Sequence, residues 1–369
     1  MSDDQRFGRR TTSTPGGAPG PLTAHRFEFR GTGGEFFRIW IVNIALTLVT
    51  FSIFSAWAKV RTKRYFYGNT HVAGHSFDYH APPLRILFGR LIAIALVVGY
   101  NLSAALSPVL AAIWGILFAV ALPWLVVASL RFNARYSSYR NVRFNFGGTY
   151  WGAVKVLLLW PLAAIFTLGA LVPLAHRARD YFYVNYHSYG GKPFTTSFSA
   201  WDIYKIYLQA LLIMFGIGVA MALLGALLMG GFTLTAIAGS DTAIKGVMVV
   251  VAAVGAIVLS AVWFTVLAFI MAKTLNLVLN NTTIDARHRL HATLSAGPLV
   301  WLAVSNIVLV LLTLGLYYPW ARVRYTRYLT DNLTLLAGSN LDEFTSETFA
   351  AQSAVGEEIA GIFSLDIGL

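Results

Sequence analysis

Seven apolar runs, each close to the roughly 20 residues a helix needs to cross a bilayer, constrain this chain more than any other feature. They lie near 36–57, 85–106, 109–130, 153–175, 206–229, 247–272 and 299–320. Their solvent is lipid: the chain is 57% hydrophobic and 12% charged, whereas an average soluble domain carries roughly 25% charged residues. Cysteine is absent, which excludes disulfides, thiolate metal sites, cysteine nucleophiles and thioether-linked haem. Residues 1–25 are polar and lack an apolar core. They read as a disordered tail and not as a cleavable signal, so the first apolar run directs insertion.

The net charge of +12 is uneven. No Lys or Arg follows Arg327, but Asp331, Asp342, Glu343, Glu347, Glu357, Glu358 and Asp366 do. Basic residues on a membrane protein answer first to anionic lipid headgroups and the positive-inside rule. Here they flank helix ends instead of forming one cluster, which argues against nucleic acid as a partner.

Residues 43–65 (NIALTLVTFSIFSAWAKVRTKRY) and 306–328 (NIVLVLLTLGLYYPWARVRYTRY) align without a gap. Asn43, Thr50, Trp57, Lys59, Arg61, Arg64 and Tyr65 fall on Asn306, Thr313, Trp320, Arg322, Arg324, Arg327 and Tyr328. A weaker copy starts at Thr167 and places Pro173 opposite Pro319. After the basic helix ends come an Asn and a short alternating stretch, at Asn69, Asn141, Asn185, Asn280 and Asn332. Alternation with β-branched and aromatic residues reads as short strands and hairpins. Phe27–Phe29 reads as one more strand, and Thr32 with Glu35 has the spacing of a capping box.

Open sheet edges do not sit in lipid, so strands that pair must share one side of the membrane. The runs 36–57, 153–175 and 299–320 then leave and return on one face. Each carries polar or helix-weakening residues near its middle, at Thr50–Ser52, Thr167–Gly169 and Thr313–Gly315, as a re-entrant hairpin requires. The remaining four runs become two spanning hairpins. With this topology 27 of the 28 Lys and Arg residues fall on one side and Lys245 alone on the other. Seven ordinary spans give a near-even split instead, with two inverted three-span repeats of the kind common in secondary transporters. The expected fold is a polytopic α-helical integral membrane protein with internal repeats, a small β-sheet of short hairpins on the cytoplasmic face, and both termini on that face. The expected division is a tail at 1–25, a first membrane repeat at 26–152, a second at 153–298, a partial third at 299–338 and an acidic tail at 339–369.

The stretch 29–79, the closing TLGLYYPWARVRYTRY (313–328) and the acidic tail ending VGEEIAGIFSLDIGL together resemble the YjgN-type family of bacterial inner-membrane proteins. The two Trp-Ala-Lys/Arg-Val-Arg motifs are the most specific part. The middle copy departs from the pattern, with Leu174 and His176 in place of the Trp and the first basic residue. The resemblance implies a multi-pass protein of the bacterial inner membrane and brings no assigned reaction. It also implies a conceivable partner, since such proteins are encoded near membrane metallopeptidases. That makes a metallopeptidase or another membrane protein a candidate partner beside anionic lipids.

Trp57, Lys59, Arg61, Arg64, Trp320, Arg322, Arg324 and Arg327 offer cations and aromatic anchors at an apolar–polar boundary. One reading is topological anchoring; the sharper one is an anionic-lipid or phosphate pocket built from both copies. Asn43, Thr50, Asn306 and Thr313 are the intramembrane polar residues, serving either helix packing or a pathway. No Asp or Glu lies within the seven runs, which weakens a proton-coupled carrier. His71, His75, Asp78 and His80 crowd a turn, but their spacing matches no metal signature. His288 and His291 read as part of a solvated basic loop. No HExxH, GxSxG or P-loop pattern is present, so neither an enzyme nor a cofactor is expected. The tail can form an amphipathic helix near 345–363 that docks on the sheet as a lid, or it can remain a solvated tail. Two functional readings follow: a lipid- or partner-binding membrane scaffold, and a transporter or channel with a pathway between the repeats.

Overall fold

The computed structural model of the chain describes residues 22–236 and 241–352. Helical hairpins and β-hairpins alternate along it. Strands β1 (Thr23–Arg26) and β2 (Glu28–Phe29) lead into a short helical hairpin, α1 (Gly33–Val49) and α2 (Ser55–Asn69). Strands β3 (Thr70–Val72) and β4 (His75–Tyr79) precede a long hairpin, α3 (Pro83–Leu106) and α4 (Pro108–Arg135). Strands β5 (Ser137–Tyr139) and β6 (Val142–Phe146) follow. The next short hairpin is α5 (Tyr150–Val154), a π-helical turn at Lys155–Leu159, α6 (Trp160–Phe166) and α7 (Val172–Asn185). Then come β7 (His187–Tyr189), β8 (Lys192–Thr196), and the long helices α8 (Ala200–Ala236) and α9 (Asp241–Asn280). Last are β9 (Thr282–Ile284), β10 (His288–Ala292), a third short hairpin, α10 (Ala296–Leu312) and α11 (Tyr318–Asp331), and β11 (Leu333–Ala337). Helix α12 runs through 341–352.

The strands correct the expectation of a small sheet of short hairpins. They form one eleven-stranded antiparallel sheet in the order β1-β11-β10-β9-β8-β7-β6-β5-β4-β3-β2. Its two ends, β1 and β2, are one chain segment interrupted only at Phe27, whose N–H donates to Leu333 O at 3.0 Å. The sheet therefore closes into a near-barrel ring. Strands of two to five residues make only marginal hairpins on their own. Pairing each hairpin with the next, as in Phe77 with Tyr139 and Phe144 with Tyr189, gives every strand from β3 to β11 a partner on both sides and leaves one outer edge each on β1 and β2. The inward side chains, among them Val72, Tyr139, Val142, Tyr189 and Leu335, share one core with Leu341 and Phe344 of α12. Residues 23–25, assigned to the tail from sequence, belong to β1. Residues 1–21 and the part of the tail beyond 352 lie outside the described residues.

Four tight turns set the registers. The pairs Ala73-Gly74, Arg140-Asn141, Gly190-Gly191 and Asp285-Ala286 all have positive φ at both positions. The first three are two-residue primed turns, whose twist matches a hairpin, while Asp285-Ala286 opens a three-residue connection in which Ile284 pairs with His288. Gly190 is also sterically required, because a Cβ there would lie 2.1 Å from Thr348 Cγ2 and 2.6 Å from Val142 Cγ1.

All helical hairpins among the described residues leave the ring and return to it. Pro83–Leu106, Pro108–Arg135, Ala200–Leu223 and Val262–Asn280 are long and apolar enough to cross a bilayer. The short hairpins are not: the 17 residues of α1 or α10 extend about 25 Å, less than the ~30 Å hydrocarbon core. They turn at a common tip. Thr50, Thr167 and Thr313 each donate a hydroxyl hydrogen bond to the carbonyl four residues back, at 2.7, 2.9 and 2.7 Å. Each hydroxyl also accepts from the N–H four residues on, that of Phe54, Leu171 or Tyr317. One hydroxyl so serves the end of one helix and the start of the next, where backbone groups lack partners. A long closing bond completes each tip, from Ser52, Gly169 and Gly315 N–H to the carbonyl five residues back. Phe51, Leu168 and Leu314, at positive φ on the tips, are 93%, 99% and 94% exposed. Large apolar side chains offered whole at three separate tips suit lipid and not water.

His187 and His288 sit in the strands of the ring, and burial holds both below the ordinary imidazole value; Arg287 lowers His288 further while Asp285 opposes it. The folded protein keeps them neutral, whereas the unfolded chain takes up protons below about pH 6.5. Their contribution is present above that pH and is lost as pH falls. The thermal midpoint in detergent is expected to drop between pH 7.5 and pH 5, and His288→Phe to flatten the slope. A midpoint unchanged across that range would refute the assignment.

Candidate anion-binding pocket between the first and last short hairpins

Helix α1 aligns Trp40, Asn43, Ile44, Thr47 and Leu48 along one side, the i, i+3, i+4, i+7, i+8 spacing of a helix face. That side faces a pocket of about 500 Å³ completed by Lys59 and Lys63 of α2, Arg90 of α3 and Arg322 of α11. Four cations and no carboxylate line it. Lys63 Nζ donates to Asn133 Oδ1 at 2.5 Å and lies 4.6 Å from the centre of the Tyr79 ring. Arg90 donates to the Ser55 hydroxyl. Arg322 stands over the Phe66 ring at 4.5 Å. Burial, with Lys59 and Arg322 adding repulsion, pushes Lys63 down to about 8.

Asn43 is 5% exposed, and neither its Oδ1 nor its Nδ2 has a partner. Its counterpart Asn306 is satisfied differently. It accepts from Arg324 Nη1 at 2.8 Å and donates to Ala321 O at 3.2 Å. A buried amide without partners costs about 1–3 kcal/mol, and this one opens into a cationic pocket.

The eight basic-motif residues do not converge on one site. Lys59 and Arg322 line the pocket. Arg64 donates to Tyr79 O at 3.1 Å, Arg327 to Gly31 O at 2.9 Å, and Arg324 holds Asn306. Arg61 is exposed. Trp57 packs against the cluster of Ala56, Val60, Tyr79, Ala81 and Ile86. Trp320 lies on Gly33 and 5.1 Å from the Phe37 ring centre. The motif tyrosines act as clamps: Tyr65 Oη accepts from Thr32 N–H at 2.8 Å, and Tyr328 Oη from Ser295 N–H at 2.9 Å. Of the four intramembrane polar residues, Asn43 alone lines the pocket, since Thr50 and Thr313 close hairpin tips and Asn306 holds an arginine. Sequence reasoning missed Trp40, Lys63 and Arg90 as lining residues. Arg90 carried no repeat signal, because it sits in the long hairpin. Among the described residues no three His, Asp or Glu side chains are placed to hold a metal. His80 instead pairs with the Ser138 hydroxyl at 2.9 Å.

The model of a family described as a bacterial protein of unknown function (DUF898) matches residues 24–362, which takes in the ring, all the hairpins and α12. The chain belongs to this family. An inner membrane protein YjgN of Salmonella typhimurium is 24% identical over 365 residues, covering 88% of this chain and 91% of the relative. The inner membrane proteins YjgN of Escherichia coli O157:H7 and of strain K12 are each 28% identical over 151 residues. Those matches cover 41% of this chain and 38% of each relative. No solved structure matches the chain. The relatives of this DUF898 member are named inner membrane proteins, in keeping with its four candidate spans.

Proposed function

We propose that this protein is a lipid-binding scaffold of the bacterial inner membrane. The long helices anchor it, the three short hairpins dip into one leaflet, and the pocket between the first and last of them holds the phosphate of an anionic phospholipid. The observation that carries this reading is the unpartnered, buried amide of Asn43 among Lys59, Lys63, Arg90 and Arg322. Phosphate supplies an acceptor for the Asn43 amide N–H and for the cations beside it, and charge-assisted bonds to it are the stronger kind. Ile44 and Leu48 extend the same helix face toward the tip, where an acyl chain would run.

The test compares phosphatidylglycerol and phosphatidylcholine bound by the purified full chain, by native mass spectrometry from detergent. Phosphatidylglycerol is expected to be retained preferentially. The triple variant Asn43→Leu/Lys59→Ala/Arg322→Ala is expected to lose that preference by about tenfold or more, each lost charged hydrogen bond being worth about 1.5–3 kcal/mol. Arg61→Ala, on the exposed side of α2, serves as the control and keeps it. Competition by inorganic phosphate as strong as by the lipid would identify a soluble anion as the ligand. Equal retention by the triple variant and the parent would overturn the reading.

A further inference from the structure

We infer that the second short hairpin carries a lipid site of its own, a groove that takes the uncharged, hydroxyl-bearing head of a diacylglycerol. The first pocket recurs there. Thr167 stands 117 positions after Thr50, and at that offset Thr47, Leu48, Ala58, Lys59 and Arg90 of the first pocket fall on Ala164, Ile165, Ala175, His176 and Tyr207. All five of the latter line a groove of about 670 Å³ between the second hairpin and α8, within the roughly 300–1,000 Å³ of ordinary ligand sites. One architecture thus presents two grooves, and the exchanged residues set what each accepts. The inference rests on the proposed function only in placing the short hairpins in one leaflet.

The head end has lost its excess charge. The first pocket gathers four cations, whereas this groove, which presents polar as well as apolar surface, has polar side chains only in His176, Arg179 and Tyr207. Asp180, at the position equivalent to Lys63, accepts from Arg179 Nε and Nη2 at 3.2 and 3.0 Å and balances its charge. Burial holds His176 below the ordinary imidazole value, against the pull of Asp180, so the ring is neutral. Its Nε2 lies 3.6 Å from Asp180 Oδ2, and its Nδ1 2.7 Å from Tyr207 Oη. The carboxylate keeps the ring proton on Nε2, so Nδ1 accepts the single hydrogen of Tyr207. Tyr207 Oη can then only accept from a ligand. A glycerol hydroxyl meets that requirement, and an ester carbonyl can accept from Arg179. A phosphate would enter this balanced site without a counter-charge, which is costly. The apolar wall of Ile165, Leu168 and Val172 leads to the tip, where Leu168 is 99% exposed and the acyl chains reach lipid.

The test uses the full chain in phosphatidylcholine nanodiscs with a photoactivatable diacylglycerol, and maps the labelled peptides by mass spectrometry. Saturable labelling is expected within 161–179 and the start of α8. Unlabelled dioleoylglycerol is expected to compete it away, and equal amounts of phosphatidylglycerol or phosphatidylethanolamine to leave it. Tyr207→Phe keeps the ring and removes the acceptor, and is expected to weaken the competition about threefold to tenfold, the worth of one neutral hydrogen bond. The double variant His176→Lys/Tyr207→Arg restores the cations of the first pocket and is expected to make phosphatidylglycerol the stronger competitor. The triple variant of the first pocket keeps the diacylglycerol labelling, so either site can fail without the other. Where the double variant does not fold, competition in the parent and in Tyr207→Phe still decides. No saturable label in this groove, competition by phosphatidylglycerol or phosphatidylethanolamine equal to that by dioleoylglycerol, or parent-like competition in Tyr207→Phe would each overturn the inference.

Discussion

Replacing Gly33 by valine is expected to unlock the first short hairpin from the last and to open the ring. A Cβ at Gly33 would stand 2.2 Å from Trp320 Cδ1. Trp320 cannot swing away at low cost, because Tyr317 stacks on it at 5.9 Å and Phe37 packs at 5.1 Å. Overpacking of this kind costs about 1–3 kcal/mol and occasionally more. The consequence is global, because the segment of β1 and β2 leads into α1, and β1 must pair with β11, which follows α11. The chain has no cysteine, so a pair introduced at the register partners Ala24 and Leu336 reports closure without background. Efficient disulfide formation is expected in the Gly33 parent, and a severalfold lower yield with a lower thermal midpoint in the valine variant. Trp320→Ala in that variant is expected to restore part of both. Parent-like crosslinking in Gly33→Val would show that the two hairpins do not interlock as described.

Removing residues 339–369 is expected to destabilise the ring rather than to trim a solvated tail. Leu341, Phe344, Thr345 and Thr348 of α12 are buried, and Leu341 and Phe344 join the core inside the strands. Burying a Leu or Phe side chain is worth about 1.5–3 kcal/mol each, so their joint loss is about 3–6 kcal/mol. The polar contacts add orientation. Arg140 pairs with Asp342, Arg287 approaches Glu347 at 3.9 Å, and Arg143 N–H donates to Gln352 Oε1 at 3.1 Å. Exposed ion pairs contribute little to stability, so Arg287→Ala is expected to change the thermal midpoint far less than the truncation. The truncated chain is also expected to bind a dye for apolar surfaces at the newly open mouth of the ring. Unchanged stability together with no dye binding would return residues 339–369 to the role of a solvated tail.

Local chemistry was readable where it repeats at short range. Thr32 and Glu35 form the capping box that their spacing spells, with Glu35 N–H to Thr32 Oγ1 and Thr32 N–H to Glu35 Oε2 both at 3.3 Å. The breaks at Thr50, Thr167 and Thr313 are where the short hairpins turn, because a threonine that bonds both helices leaves a sequence mark. Closure of the sheet left no comparable mark. Which strand neighbours which is fixed by pairing across whole helical hairpins, and strands of three residues carry too little pattern to announce a partner.

His288 was misread for a definable reason. The turn before it is Asp285-Ala286 at φ 51° and 53°, with no glycine to signal a hairpin turn, so the basic residues around it read as a solvated loop. In the fold, alternation along β10 exposes Arg289 and turns His288 inward. The two asparagines show another limit. Asn43 and Asn306 align in sequence, yet one is held by Arg324 and the other faces a pocket, because their environments are set by helices from different hairpins. Lys59 and Arg322 meet for the same reason: α1 packs against α11 around the ring, a neighbour relation that a linear alignment does not contain.

The central claim is that each short hairpin leaves one face of the membrane and returns to it, with the ring on that face. Single cysteines on either side of each hairpin test it most directly: Ala24→Cys and His75→Cys for the first, Asn145→Cys and Thr195→Cys for the second, Arg289→Cys and Asp331→Cys for the third. All six positions are exposed. In oriented inner-membrane vesicles an impermeant maleimide is expected to label all six from the same side. Labelling of the two members of any pair from opposite sides would mean that the hairpin between them crosses the bilayer, and would contradict the account.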